Sequence, residues 1–251
     1  MGSYELPRLR KELTGWRLIY RAVLRSTNSF ALARRQAGDL PVPAIILTGK
    51  QTAGRGRGRN LWYSTEGTIT VTFALPVNSI LPPWRIPLAA GLAVRRAAAL
   101  FSREPVELKW PNDLLINGRK LAGLLCERAE QVDLIGVGLN VTTDFRHSPK
   151  PVRERAVSLA EVGPGSLSMT TVLIQLAREV RGLLHSADMT DSALIQEYDR
   201  YHLLVGRQVT IDRGEEGIVT GRCTGLDHTG RLLLQDGQTT HRIISGQVTS
   251  W

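Results

Sequence analysis

The sequence predicts an α+β fold: a body of strands flanked by helices, followed by a small all-β tail. Three observations carry this expectation. Strand-like and helix-like stretches interleave over most of the chain, and beyond Gly206 the pattern changes to short strands separated by glycine and aspartate turns. With 251 residues and 42% apolar content, the chain is long enough to bury a full core.

Taken in order, "WRLIYRAVL" alternates as a strand does. "STNSFALARRQAG" then starts a helix, with Ser26 or Thr27 as the cap and Gly38 as the stop. "AIILTG" is a short buried strand, and "GTITVTFAL" alternates at period two. "WRIPLAAGLAVRRAAALF" is a helix opened by Pro87, with Leu88, Leu92 and the alanines on its packed side. "VELKWPNDLLINGRKLAGLLCE" consists of strand pieces joined at Asn117-Gly118, a strong hairpin signal, and it places Lys120 at the start of the returning strand. "VDLIGVGLNV" is a buried strand whose glycines admit a ligand or a neighbouring backbone. Proline, arginine and glycine between Phe145 and Gly165 predict a surface loop. Two amphipathic helices follow, "MTTVLIQLAREVRGLLHS" and "DSALIQEYDRYHLL". The expected boundary separates a body over 1–204 from a small β-barrel over 205–251.

Composition narrows the function classes. A net charge of +9, almost all of it from arginine, permits anionic partners and says nothing of fold. No apolar run reaches the roughly 20 residues that span a bilayer, since Arg95 and Arg96 interrupt "LAAGLAVRRAAALF". "MGSYEL" carries neither a signal pattern nor the hydroxyl residue of a myristoylation site. Cys126 and Cys223 make no disulfide framework. The expectation is a cytoplasmic protein without a membrane partner.

The stretch "QTAGRGRGRNLW" is built for an anion, because glycine lets backbone approach a ligand and arginine offers a fork of donors to carboxylate or phosphate. It is not a P-loop, which needs a lysine and a hydroxyl after its last glycine. It is not a dinucleotide fingerprint either, because a strand follows it where a helix is required. A basic RNA-binding turn remains a reading of the loop alone.

A second constellation decides between these readings. "KWPNDLLINGRKLAG" sets Lys109 and Trp110 before a Pro-Asn-Asp turn, with Lys120 eleven residues after the first lysine. Together with "GRGR…W", "STN" upstream and "GVGLNV" downstream, it closely resembles biotin protein ligase over roughly residues 20 to 250. The resemblance implies a class II synthetase-like mixed sheet with flanking helices, followed by a small C-terminal β-barrel. It implies biotin and ATP as substrates, with Mg2+ accompanying the nucleotide. In the implied reaction, biotin is activated to biotinyl-5′-AMP with release of pyrophosphate. It is then transferred to a lysine on the biotin carboxyl-carrier domain of acetyl-CoA or pyruvate carboxylase.

Carried over by position, the resemblance puts Ser26, Thr27, Asn28 and Gln51 around biotin, and Arg55, Gly56 and Arg57 in a loop closing over biotin and the adenylate phosphate. Lys120 contacts the reacting carboxylate and α-phosphate, where it offsets developing charge. Asp113 holds the metal or orients the incoming lysine, two roles the sequence does not separate; no dedicated protein metal site is expected. Asn112 and Asn140 contact nucleotide or metal, or serve only as turn and strand-end residues. Gly123 allows close backbone approach, and Trp62 and Trp110 border the adenylate or pack in the core. Arg59 and Asn60 replace the third Gly-Arg pair of many family members. Because "STN" is reached by residue 26, the expectation is a monofunctional ligase without specific DNA binding, as a monomer or homodimer. The rivals are a lipoate ligase or octanoyltransferase of the same fold, and a basic RNA-binding module.

Overall fold

The structure, a computed structural model, describes residues 4–58, 60–77, 82–185 and 189–251. Its body is a seven-stranded mixed sheet: β1 (Arg17–Leu24), β2 (Ala44–Gln51), β3 (Thr68–Pro76), β4 (Glu107–Lys109), β5 (Asp113–Ile116), β6 (Arg119–Ala129) and β7 (Val132–Asn140). The strands lie in the order β1-β2-β3-β7-β6-β5-β4. β1 and β2 are parallel and every other neighbouring pair is antiparallel. The parallel pair needs a crossover, and α2 (Thr27–Gln36) supplies it.

Side-chain alternation divides the sheet into two faces. Ile45, Leu47, Phe73 and Ile135 point into the main core. That side is closed by α1 (Leu6–Glu12), α3 (Arg85–Ala99) and α6 (Met169–His185). Ile46, Ala74 and Leu134 point the other way, into a smaller cluster with Ala31 of α2. Each fully buried isoleucine, leucine or phenylalanine among them contributes about 1.5–3 kcal/mol. Because α2 covers only one end of its face, the rest of that face is left for a ligand. Both faces are occupied along β3, so its threonines are buried as well as its apolar residues: Thr68, Thr70 and Thr72 are all below 4% exposed.

Several expectations hold in detail. Ser26 caps α2 in extended geometry and accepts from the Ser29 amide, and Gly38 follows the helix with φ +74°. Asn117 and Gly118 both have positive φ, the geometry of the tight hairpin between β5 and β6. Two expectations are corrected. The third helix begins at Arg85, two residues before Pro87, because Pro82 and Pro83 accept the amides of Arg85 and Ile86, and a proline in the first turn removes no helical hydrogen bond. The segment from Phe145 to Gly165 is not simply a surface loop. It holds α4 (Lys150–Arg155) and α5 (Leu159–Val162), the latter started by a Ser158–Glu161 capping box, with Val157 and Leu159 fully buried. The seven-residue α1, with Pro7 as its second residue, is not among the expected elements because it carries too little periodicity to be read from sequence, yet it buries Leu9 completely.

After α7 (Asp191–Arg200), the tail forms a five-stranded antiparallel sheet: β8 (Gln208–Asp212), β9 (Ile218–Leu226), β10 (Leu232–Asp236), β11 (Thr239–Ile243) and β12 (Gln247–Ser250), in the order β11-β10-β9-β8-β12. It is docked on the body. Asp199 of α7 accepts from the Leu226 amide at 3.0 Å, and the Trp110 indole N–H reaches the carbonyl of Gly230 at 3.4 Å. Val209, Ile211 and Leu234 belong to the same core cluster as α3 and α6.

Candidate active site

A cavity of about 670 Å³ opens on the face that α2 leaves bare. Its floor is made of strand glycines. A Cβ on Gly136 of β7 would strike the Asn28 amide, one on Gly138 would strike the Trp62 indole, and one on Gly123 of β6 would meet Trp62 and the Lys120 side chain at 3.1–3.3 Å. These glycines are therefore required by close packing of the side chains that lie across the sheet.

One end of the cavity is neutral and polar. The start of α2 brings Ser26, Thr27 and Asn28 there, all below 5% exposed. Gln51, at the end of β2, accepts from the Thr27 amide at 2.7 Å and the Thr27 hydroxyl at 3.2 Å. The Asn28 amide donates to the Leu125 carbonyl at 3.0 Å and to Glu127 at 2.8 Å, and accepts from Thr72 at 2.6 Å. These side chains are held in fixed orientations before any ligand arrives.

The Gly-Arg stretch is not an open cradle but a small hairpin. Arg55 bridges to Leu61, the Trp62 amide reaches Gly54, and the Gly56 and Asn60 amides close the turn, with Gly58 at φ +60°. Arg55 and Arg57 both line the cavity, Arg55 with its guanidinium fastened onto Glu127 (2.7 and 3.2 Å). Burial lowers the Arg57 pKa from its ordinary value, with Asp113 working in the opposite direction. Arg59 lies outside the described residues.

The other end of the cavity is charged. Lys120, at the start of β6, meets Asp113 of β5 at 2.7 Å and stands 5.7 Å from the Trp62 ring. Lys109, at the end of β4, has its pKa pushed down to about 8. Burial is the main cause, reinforced by Lys120 and Arg155 and opposed by Asp113. Arg155 reaches in from α4. The described lining residues include five cations, of which Arg55 is paired with Glu127, and a single carboxylate, Asp113. The Trp62 indole N–H is buried with no hydrogen-bond partner among the described residues, a donor left over for a ligand.

The structure thus brings together Ser26, Thr27, Asn28, Gln51, Arg55, Gly56, Arg57, Trp62, Asn112, Asp113, Lys120 and Gly123, together with Trp110. The Asn112 side chain is already tied to the Leu124 carbonyl at 2.8 Å. Asn140 is not brought in. Its amide donates to the carbonyls of Lys120 (3.3 Å) and Val157 (3.1 Å), so of the two roles left open by the sequence its side chain fills the strand-end one, as a tie between β7, β6 and the 156–158 segment. Sequence reasoning missed Arg155 and the stretch Gly246 to Val248, which line the cavity, and Glu127, which holds Asn28 and Arg55. Alternation from Gly123 through Leu125 was a signal for Glu127, while the others come close only through tertiary folding. The Cys126 thiol is pushed up to about 12 by burial and has no catalytic character.

Comparison with known proteins places the chain in a family. Residues 20–144 match the biotin/lipoate A/B protein ligase family and residues 204–249 match the biotin protein ligase C-terminal domain. A biotin–[acetyl-CoA-carboxylase] ligase of Mycobacterium tuberculosis is 34% identical over 242 residues, covering 94% of this chain and 90% of its own. The bifunctional ligase/repressor BirA of Bacillus subtilis is 31% identical, over 96% of this chain and 76% of its own. Among solved structures, the biotin protein ligase from Aquifex aeolicus in complex with biotin and ATP superposes with a TM-score of 0.79 at 26% identity, covering 93% of this chain and 97% of that one. The chain belongs to the biotin protein ligase family. Among the described residues, no helix is long and apolar enough to cross a membrane.

Proposed function

We propose that this chain is an ATP-dependent biotin protein ligase, with 1–204 as its catalytic part and 205–251 as a β domain completing the site. The observation carrying this reading is the polarity of this cavity: a pre-oriented hydrogen-bonding end of uncharged side chains joined to an end with several cations and one carboxylate. That gradient suits a ligand with a neutral polar head and a terminal carboxylate, meeting a polyphosphate.

In the first step a biotin carboxylate oxygen attacks the α-phosphorus, the bond from that phosphorus to the bridging oxygen breaks, and pyrophosphate leaves. Ser26, Thr27, Asn28 and Gln51 hold the ureido end. Lys120 lies where carboxylate and α-phosphate meet, offsetting charge as it develops, and Arg57 covers them. Asp113 holds Lys120 in place until substrates arrive. In the second step an acceptor lysine, as the neutral amine, attacks the acyl carbon. The bond to the phosphate oxygen breaks, AMP leaves, and the amine sheds its proton. Mg2+ enters with ATP. Since Asp113 is the only carboxylate among the described lining residues and already carries Lys120, these residues do not fit a dedicated metal site.

The acceptor on this reading is a carboxylase's biotin carboxyl-carrier domain, the compartment is the cytoplasm, and any duplex DNA binding is nonspecific and lost at moderate salt. Biotin-dependent ATP–pyrophosphate exchange, with lipoate and octanoate as controls, tests the central claim. Exchange supported by lipoate and not by biotin would overturn it.

A further inference from the structure

The C-terminal sheet reaches the charged end of the cavity in two ways. Gly246, Gln247 and Val248 line it directly. Beyond them, Trp251 lays its indole against the Lys109 ammonium, with Nζ 3.3 Å from the ring centroid. The segment that carries this indole is fixed. β12 pairs with β8 through Ser250 and Thr210, and the Thr249 hydroxyl donates to the Thr210 carbonyl at 3.2 Å.

Lys109 needs such a hold. It leaves a three-residue strand and sits opposite Asp113 in the β4–β5 ladder, with Lys120 and Arg155 as cationic neighbours. Two like charges and partial burial all drive its flexible side chain outward, toward water. The negative face of an indole opposes that drift. It does so differently from a carboxylate: a carboxylate would neutralise the ammonium, whereas a ring quadrupole keeps it in place with its full charge available to an incoming anion. Trp251 is not itself among the cavity-lining residues, so its effect is exerted through Lys109.

We propose that Trp251 is a positioning residue for the ligation reaction: its indole holds Lys109 at the charged end of the cavity, where the ammonium binds the phosphates of ATP. This rests on the ligase reading above and extends it to a residue of the C-terminal sheet. Trp251 is 42% exposed, so trimming it leaves the core intact.

The test compares the parent with Trp251→Ala, Trp251→Phe, Lys109→Ala and the double variant Lys109→Ala/Trp251→Ala in pyrophosphate exchange, with thermal melts to verify folding. Trp251→Ala should raise KM for ATP about tenfold with little change in kcat or in KM for biotin, the pattern of lost uniform binding, and Trp251→Phe should restore most of it. In the Lys109→Ala background the tryptophan substitution should add nothing. An unchanged KM for ATP, an equal rise in KM for biotin, or losses that multiply in the double variant would each overturn the proposal. A parent without biotin-dependent exchange would overturn the ligase reading instead. ATP binding by equilibrium dialysis across the same variants would then decide the tryptophan's role by itself.

Discussion

Replacing Lys120 with alanine does two things that the structure separates. On the proposed reaction it removes a donor from the point where carboxylate and α-phosphate meet, and it uncovers Asp113, whose carboxylate the ammonium contacts at 2.7 Å. Loss of one preorganised donor costs roughly 2.7–4 kcal/mol, or about 10²–10³ in rate. The uncovered Asp113 then repels an incoming anion. At about 6 Å and an effective dielectric near 20, two unit charges interact by about 2.8 kcal/mol. Because the Lys120 side chain is 39% exposed, solvent screening reduces this to about 1 kcal/mol, roughly fivefold. Lys120→Ala should therefore slow adenylate formation by about 10³-fold, and adding Asp113→Asn should recover about fivefold of that. Single-turnover ATP consumption with saturating biotin measures both. A Lys120→Ala enzyme at the parent rate would remove Lys120 from the reaction. A double variant slower than the single one would show that Asp113 serves the first step by more than holding Lys120.

Three further outcomes follow from the same geometry. Arg57→Gly removes the cavity-lining arginine of the hairpin that is not paired with Glu127 while Lys120 remains, so biotinyl-5′-AMP should form but escape. Rapid filtration should show faster dissociation and a lysine-rich bystander protein should become biotinylated; slow formation with tight retention would make the hairpin a catalytic element and not a lid. Gly138→Ala places a methyl group where the Trp62 indole lies, so the indole must shift. Ligand affinity should fall about tenfold or more, with a melting temperature close to the parent's because a loop side chain yields and not the core; an unchanged affinity would mean that Trp62 does not border the ligand. Finally, Lys109 has its pKa depressed to about 8, so in the free enzyme it is charged below that pH and neutral above it. The kcat/KM for ATP should decline as pH rises through about 8, and Lys109→Arg should carry the plateau to higher pH; a decline at the same pH in both would assign it to another group.

Much of this protein was legible before folding was considered. The cap at Ser26, the Asn117-Gly118 hairpin, the position of Lys120 and the change to an all-β tail are local: hydrogen bonds and backbone preferences within a few residues decide them, and those are written in neighbouring letters. The glycines of "GVGLNV" announced close approach in the same way. What approaches them, the Asn28 amide and the Trp62 indole, was settled only when the strands were ordered into a sheet. The hairpin form of the Gly-Arg stretch and the fastening of Arg55 to Glu127, 72 residues away, likewise depend on packing. So does the split between Lys120, which enters the cavity, and Asn140, for which the resemblance left both a ligand contact and a strand-end role open and which the fold spends on backbone carbonyls. The contact of Trp251 with Lys109 spans 142 positions and crosses from one sheet to another. Such pairs leave no periodic trace in the sequence, because long-range burial and charge, and not neighbouring residues, hold them together.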